Sequence, residues 1–228
     1  MGDKKQKEAR IKKVKQVLVV GACVLFVILM ILSGMSSHWL SVFTVVKTGD
    51  TVVVDYTMYD INGNPILTSS QQTYTAAAAK GRDILYSKQL SMTAGQNLTK
   101  SIYPVSIYTS SSGWTKEFAL FSTEYAVINQ QLVGMKAGDQ KRIPLPNSSM
   151  AQEWSATTLT HNGVDIGNLN VGDIIAMGVS DNPEAMATNS TISYTRIGQV
   201  TSKTNESVIV DFGYPAVDIS IVSINANS

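Results

Sequence analysis

Few side chains in this 228-residue chain have the chemistry to make or break bonds, and they do not cluster. There are two histidines, His38 and His161, and one cysteine, Cys23. Serine and aspartate are plentiful, but no Gly-x-Ser-x-Gly elbow or histidine partner accompanies them, which argues against hydrolase chemistry. No Cys/His/carboxylate group stands at metal-ligand spacing, so no metal and no other cofactor is expected. What the sequence offers instead is a set of apolar and aromatic positions on the buried faces of strands and of one helix. Such groups bind by burial rather than by proton transfer. Four Asn-x-Ser/Thr tripeptides, at Asn97, Asn147, Asn189 and Asn205, add candidate N-glycosylation sites.

Three segments must position those groups. In Val45–Tyr59, Val52, Val54, Tyr56 and Met58 alternate with Thr51, Val53, Asp55 and Thr57, which predicts a strand with one buried face. The Asn-Gly turn in Asp60–Pro65 and the run Ile66–Ser70 complete a hairpin. In Val127–Pro146, Ile128, Leu132 and Met135 recur at i, i+4 and i+7, a short helix with one apolar face. Gly134 and Gly138 stop and turn it, and Lys141–Leu145 alternates as a strand. The third segment begins at Val171-Gly172-Asp173 and continues through the strand-like IIAMGV. Alternating runs follow at Ile192–Val200, Ser207–Asp211 and Asp218–Ile224. Gln71–Lys116 is less regular and is expected to be a long surface loop, with Ile84-Leu85-Tyr86 and Ile102-Tyr103-Pro104-Val105 as its apolar pieces. Glu117–Leu120 is expected to be the strand that leads into the helix.

Taken in order, these three segments resemble FKBP-type peptidyl-prolyl cis-trans isomerases, and the third resembles the SlyD-like branch with its insert-in-flap domain. The resemblance covers most of residues 45–225. It implies an α+β fold, an FKBP-like antiparallel half-barrel sheet around one short helix. Residues 45–151 and 214–228 would form that domain, with the long loop 71–116, and residues 152–213 a small inserted β domain.

The resemblance also implies a substrate cleft lined by Tyr56, Leu67, Thr68, Phe118, Ile128 and Val217, with the backbone N–H near Tyr125 holding the substrate carbonyl. Prolyl isomerisation needs no acid or base. It needs a site that prefers the twisted amide over a barrier of about 18–20 kcal/mol. The expected cleft departs from the family's in three places, and the loop Gly213-Tyr214-Pro215 is shorter than the family's. Leu67-Thr68 stands where a Phe-Asp pair is usual, Ile128 replaces an aromatic residue, and Asn147–Met150 contains none.

Residues 1–16 hold seven Lys/Arg against Asp3 and Glu8, and Val17–Leu32 is uncharged. A basic tail over 1–16 and a transmembrane signal anchor over 17–37 are therefore expected, with a cleaved signal peptide as the competing reading. That orientation places the N-terminus in the cytoplasm and the remainder outside the cell membrane. Beyond the tail are 11 basic and 15 acidic residues, a net charge near −4 with no basic patch for nucleic acid. Two functions follow. One is an extracytoplasmic isomerase and folding chaperone whose partners are unfolded or proline-containing exported polypeptides. The alternative is a catalytically decayed FKBP fold acting as a surface-binding or envelope-structural module.

Overall fold

The computed structural model describes residues 18–21, 24–27, 30, 44–146, 149–180 and 194–225. Two compact units are present, residues 1–43 and 44–228. In the first, the described residues are short helical pieces whose apolar side chains, such as Leu25 and Phe26, are exposed. Crossing a bilayer takes about 20 apolar helical residues. Among the described residues no helix is long and apolar enough to do so. The membrane-spanning helix expected over 17–37 is corrected on that ground. The tail 1–16, Cys23 and His38 lie outside the described residues.

In the second unit the hairpin comes first. β1 (Thr51–Tyr59) and β2 (Pro65–Thr68) pair antiparallel. In the turn between them Asp60 Oδ1 accepts from the backbone N–H groups of Asn62 (2.9 Å) and Asn64 (2.7 Å), while Gly63 takes φ +76°. Ser70 then caps α1 (Gln71–Ala78), its hydroxyl accepting from Thr73 N. β3 (Leu85–Ser87), β4 (Leu90–Thr93), β5 (Ile102–Thr109) and β6 (Gly113–Phe121) follow. β6 runs straight into α2 (Ser122–Leu132), which packs Ile128 and Leu132 inward. Gly134 at φ +90° and Gly138 at φ +85° turn the chain into β7 (Gln140–Pro144).

The rest comprises β8 (Ala151–Ser155), α3 (Ala156–His161), a 3₁₀ turn Ile166–Asn168, β9 (Ile174–Val179), β10 (Tyr194–Lys203), β11 (Ser207–Asp211) and β12 (Ala216–Asn225). The strand order is β7-β12-β1-β2-β3-β5-β6-β10-β11-β8, with β4 also on β1 and β9 also on β10. β2–β3 and β6–β10 are parallel, and the other described pairs are antiparallel. The fold is therefore a curled half-barrel sheet and mostly β, which corrects the expected α+β class. The difference lies in residues 71–116, expected as a loop. Ile102, Val105 and Ile107 face the core there, so burial rather than turn chemistry governs the segment.

Two apolar cores fill the concavity. The larger gathers the inner faces of β1, β2, β6, α2 and β12. The smaller joins Leu159, Ile175, Val200, Val208, Val210 and Phe212, with Trp154 and Met177 packed against it. β10 serves both, giving Ile197 to the first and Val200 to the second.

Candidate functional site

The residues expected to line a proline cleft come from five separate elements, and the fold does bring them together. Tyr56 on β1, Leu67 and Thr68 on β2, Phe118 on β6, Ile128 on α2 and Val217 on β12 are each 0–1% exposed. Apart from Thr68, all belong to the larger core. They form a closed interior rather than the walls of an open cleft. Thr68 is fully engaged within the hairpin. Its hydroxyl lies 2.7 Å from Thr57 Oγ1, donates to Tyr56 O, and accepts from Ser70 N. The Tyr56 hydroxyl faces Ser87, yet the two miss hydrogen-bond geometry and both remain without a partner. Burial raises the Tyr56 pKa well above the usual tyrosine range. Tyr125 alone is half-exposed, its ring stacked on Tyr103 at 4.1 Å.

Beside Phe118 a side chain from β10 sits among a second group of rings, Phe118, Phe121 and Tyr214. Arg196 is 0% exposed, and its guanidinium lies 4.0 Å from the Tyr214 ring centroid, 4.6 Å from Phe121 and 5.4 Å from Phe118. It donates to both carboxylate oxygens of Glu124, at 2.6 and 2.9 Å. The remaining donors reach Phe212 O, at 3.0 and 3.2 Å, and Ala119 O at 2.9 Å. All five N–H donors are therefore used. Glu124 also accepts from the Phe121 N–H at 3.0 Å, closing the first turn of α2. Sequence reasoning missed this box. Its one visible signal is an arginine inside the otherwise uncharged segment Ile192–Val200.

Outside the core lies a second aromatic set, two of its rings exposed and two half-buried. Tyr74 on α1, Tyr86 on β3, Trp114 on β6 and Tyr108 on β5 form a ladder. Consecutive ring centroids are 5.2, 5.6 and 5.6 Å apart. Trp114 is 39% and Tyr108 46% exposed, and the Lys88 amine sits 5.5 Å over the Trp114 ring. Tyr86 belongs to an apolar piece visible in the sequence. Tyr74 and Trp114 join it only because α1 and the β5–β6 hairpin form. Of the glycosylation candidates, Asn97 and Asn205 are exposed, and Asn147 and Asn189 lie outside the described residues.

On the outer face of β1, β7 and β12 the Tyr59 hydroxyl donates to Asp218 Oδ2 at 2.7 Å, with the Arg142 guanidinium 4.6 Å from the ring. Desolvation, then the bond to Asp218 and its charge, push the Tyr59 pKa up to about 12, against the opposing pull of Arg142. A pKa raised on folding stabilises fully below the unfolded value of about 10 and is lost as pH rises through the folded value. Stability is thus expected to fall between pH 10 and 12. Tyr214 and Tyr56 act in the same direction. Urea melts across this range, with tyrosinate absorbance followed in parallel, check it. Tyr59→Phe should flatten the slope, and an unchanged slope would refute the assignment.

No protein-family model matches the chain, and no curated protein matches it significantly. The fold and these sites define a mostly β protein whose aromatic and charged groups are arranged for packing and non-covalent contact.

Proposed function

We propose that residues 44–225 form a non-catalytic polypeptide-binding module, the FKBP-like cleft having been given over to core packing. One observation carries this reading. One of the rings expected to hold a proline, Phe118, faces the protein's own Arg196, whose every donor is satisfied. A catalyst must offer the twisted amide a site that is open before substrate arrives. The closure of Tyr56, Leu67, Phe118, Ile128 and Val217 supports the same conclusion.

The binding surface we assign is the ladder Tyr74–Tyr86–Trp114–Tyr108. Rings in a row, exposed at Trp114 and Tyr108 and half-buried at Tyr74 and Tyr86, take up apolar and prolyl side chains of an extended chain at low entropic cost. The partners are unfolded or proline-containing exported polypeptides, held without chemical change. A protease-coupled proline-peptide assay is expected to give the uncatalysed rate, and acceleration dependent on Tyr56 would sink the proposal. In calorimetric titration with a reduced, unfolded client, Trp114→Ala should weaken binding by about tenfold or more, as for a central aromatic hot spot.

A further inference from the structure

After β3 the chain crosses at Lys88 and Gln89 into β4, exchanging β5 for β1 as its neighbour. At the crossing the Lys88 N–H donates to Ser106 O at 2.9 Å. Beyond that bond no pairing joins β4 to β5, and a slot of about 320 Å³ opens between them. Its lining includes Leu90 and Ser91 on one side, and Pro104, Val105 and Ser106 on the other. The stacked rings of Tyr103 and Tyr125 also border it. Among the described lining residues Lys88 is the one cation, and none is a carboxylate.

Both walls of the slot are strand edges with unmatched backbone groups. Along an antiparallel strand, successive residues direct their N–H and C=O to opposite sides. The Ala94 N–H donates to Asp50 O at 2.9 Å, so Met92 and Leu90 turn toward β1 and Ser91 turns toward the slot. On β5 the bond from Lys88 shows that Ser106 faces the slot. Pro104 faces it too, and Val105 turns to β6. The Ser91 N–H and C=O, the Ser106 N–H and the Pro104 C=O have no hydrogen-bond partner among the described residues. Proline is tolerated in β5 because its missing N–H falls on the unpaired side. Ser91 and Pro104 are exposed, so the slot is open to an arriving chain. Donors and acceptors on two facing edges match one kind of ligand, another extended backbone that bonds to each side.

We propose that the slot between β4 and β5 takes an extended segment of a partner polypeptide as an added strand, with an acidic residue of that segment beside Lys88. The inference rests on the polypeptide-binding reading and gives it a second contact and a mode. Leu90, Val105 and the two tyrosine rings receive one apolar side chain of the segment. Lys88 links the slot to the aromatic ladder, because it lines the slot while its amine sits over the Trp114 ring. A chain that leaves the slot past Lys88 therefore reaches the exposed rings directly. The charge of Lys88, with no carboxylate beside it in the slot, selects for an acidic segment.

The test titrates the full ¹⁵N-labelled chain with a blocked hexapeptide, acetyl-Thr-Val-Glu-Val-Pro-Thr-amide, and follows exchange of single amide hydrogens by NMR. At saturation the Ser91 and Ser106 amides should exchange more slowly than in the free chain, by about tenfold or more. The same peptide with its valine and glutamate nitrogens methylated cannot complete the strand and should protect neither amide. Glutamine in place of its glutamate should weaken binding by about threefold, as for one exposed charge pair. These controls alter the peptide, so folding of the chain is not in question. The Trp114 indole N–H, seen in the same spectra, reports on the ladder separately. Indole movement without protection at Ser91 and Ser106 overturns the slot and leaves the ladder standing. Protection of both amides with the indole unmoved supports the slot and overturns the ladder. No response at any of these signals overturns both. Slow exchange before peptide is added means that the chain itself fills the slot, and that overturns the proposal, as does equal protection by the methylated peptide.

Discussion

Replacing Arg196 by methionine should lower the stability of the folded unit by about 3–5 kcal/mol. This is the range for removing one partner of a buried ion pair. The cost comes mainly from what is left behind. Without Arg196, the Glu124 carboxylate stays 0% exposed, with the Phe121 N–H as its remaining described donor. The carbonyls of Phe212 and Ala119 lose the donors they had. Three aromatic rings also lose a desolvated cation, an interaction worth up to about 2 kcal/mol at such sites. Glu124→Gln should cost less than Arg196→Met if the guanidinium keeps its backbone acceptors. Arg196→Met combined with Glu124→Leu should recover much of the loss, because an apolar replacement carries no desolvation penalty. Urea unfolding midpoints at constant m-value measure all three. A loss below about 1 kcal/mol for Arg196→Met would show that the box is not held as its geometry requires.

Phe212→Ala should be equally damaging, at about 3–5 kcal/mol, through the cavity left in the smaller core. Phe212 is fully buried, with its ring 5.5 Å from that of Trp154. It lies so close over Gly198 that a Cβ at that position would meet the ring at 2.6 Å. The backbone of Phe212 holds Arg196 while its side chain fills the second core. The two substitutions therefore share a structural element, and their effects should not add. A double-mutant cycle of Arg196→Met with Phe212→Ala should return a coupling above the roughly 0.3–0.5 kcal/mol typical of independent sites. Strict additivity would mean that the two cores respond separately.

The elements with clean periodicity were legible in the sequence. β1, the Asn-Gly hairpin and the strands at 174–179, 207–211 and 216–225 all follow from alternation and turn residues. So does the helix–turn–strand from Ile128 to Leu145, although α2 begins earlier and ends at Leu132, which leaves Met135 in the turn beyond it. The segment 71–116 was not legible. Pro104 lies inside β5, where a proline argues against a strand, Ser/Thr clusters mimic loop composition, and the deciding factor is burial of Ile102, Val105 and Ile107. The candidate site was half legible. A closed core and an open cleft draw on the same residue types, so Tyr56, Leu67, Phe118, Ile128 and Val217 could be grouped without revealing whether the space among them is free. That answer rests on their burial in one core, beside which Arg196 meets Phe118 and Glu124 through a parallel contact of β10 with β6 that no local pattern encodes.

The sheet order carries a consequence for biosynthesis. β1 pairs along its whole length with β12, the last of the described strands in chain order, and β12 also holds β7. A nascent chain therefore carries β1 through nearly the entire synthesis of the unit with one edge unmatched. Closure must await Ala216–Asn225, a long-range pairing of the kind that slows folding and exposes intermediates to aggregation. A product truncated before those ten residues leaves two strands without their shared neighbour. Until Ala216–Asn225 is made, the sheet stays unclosed between β1 and β7.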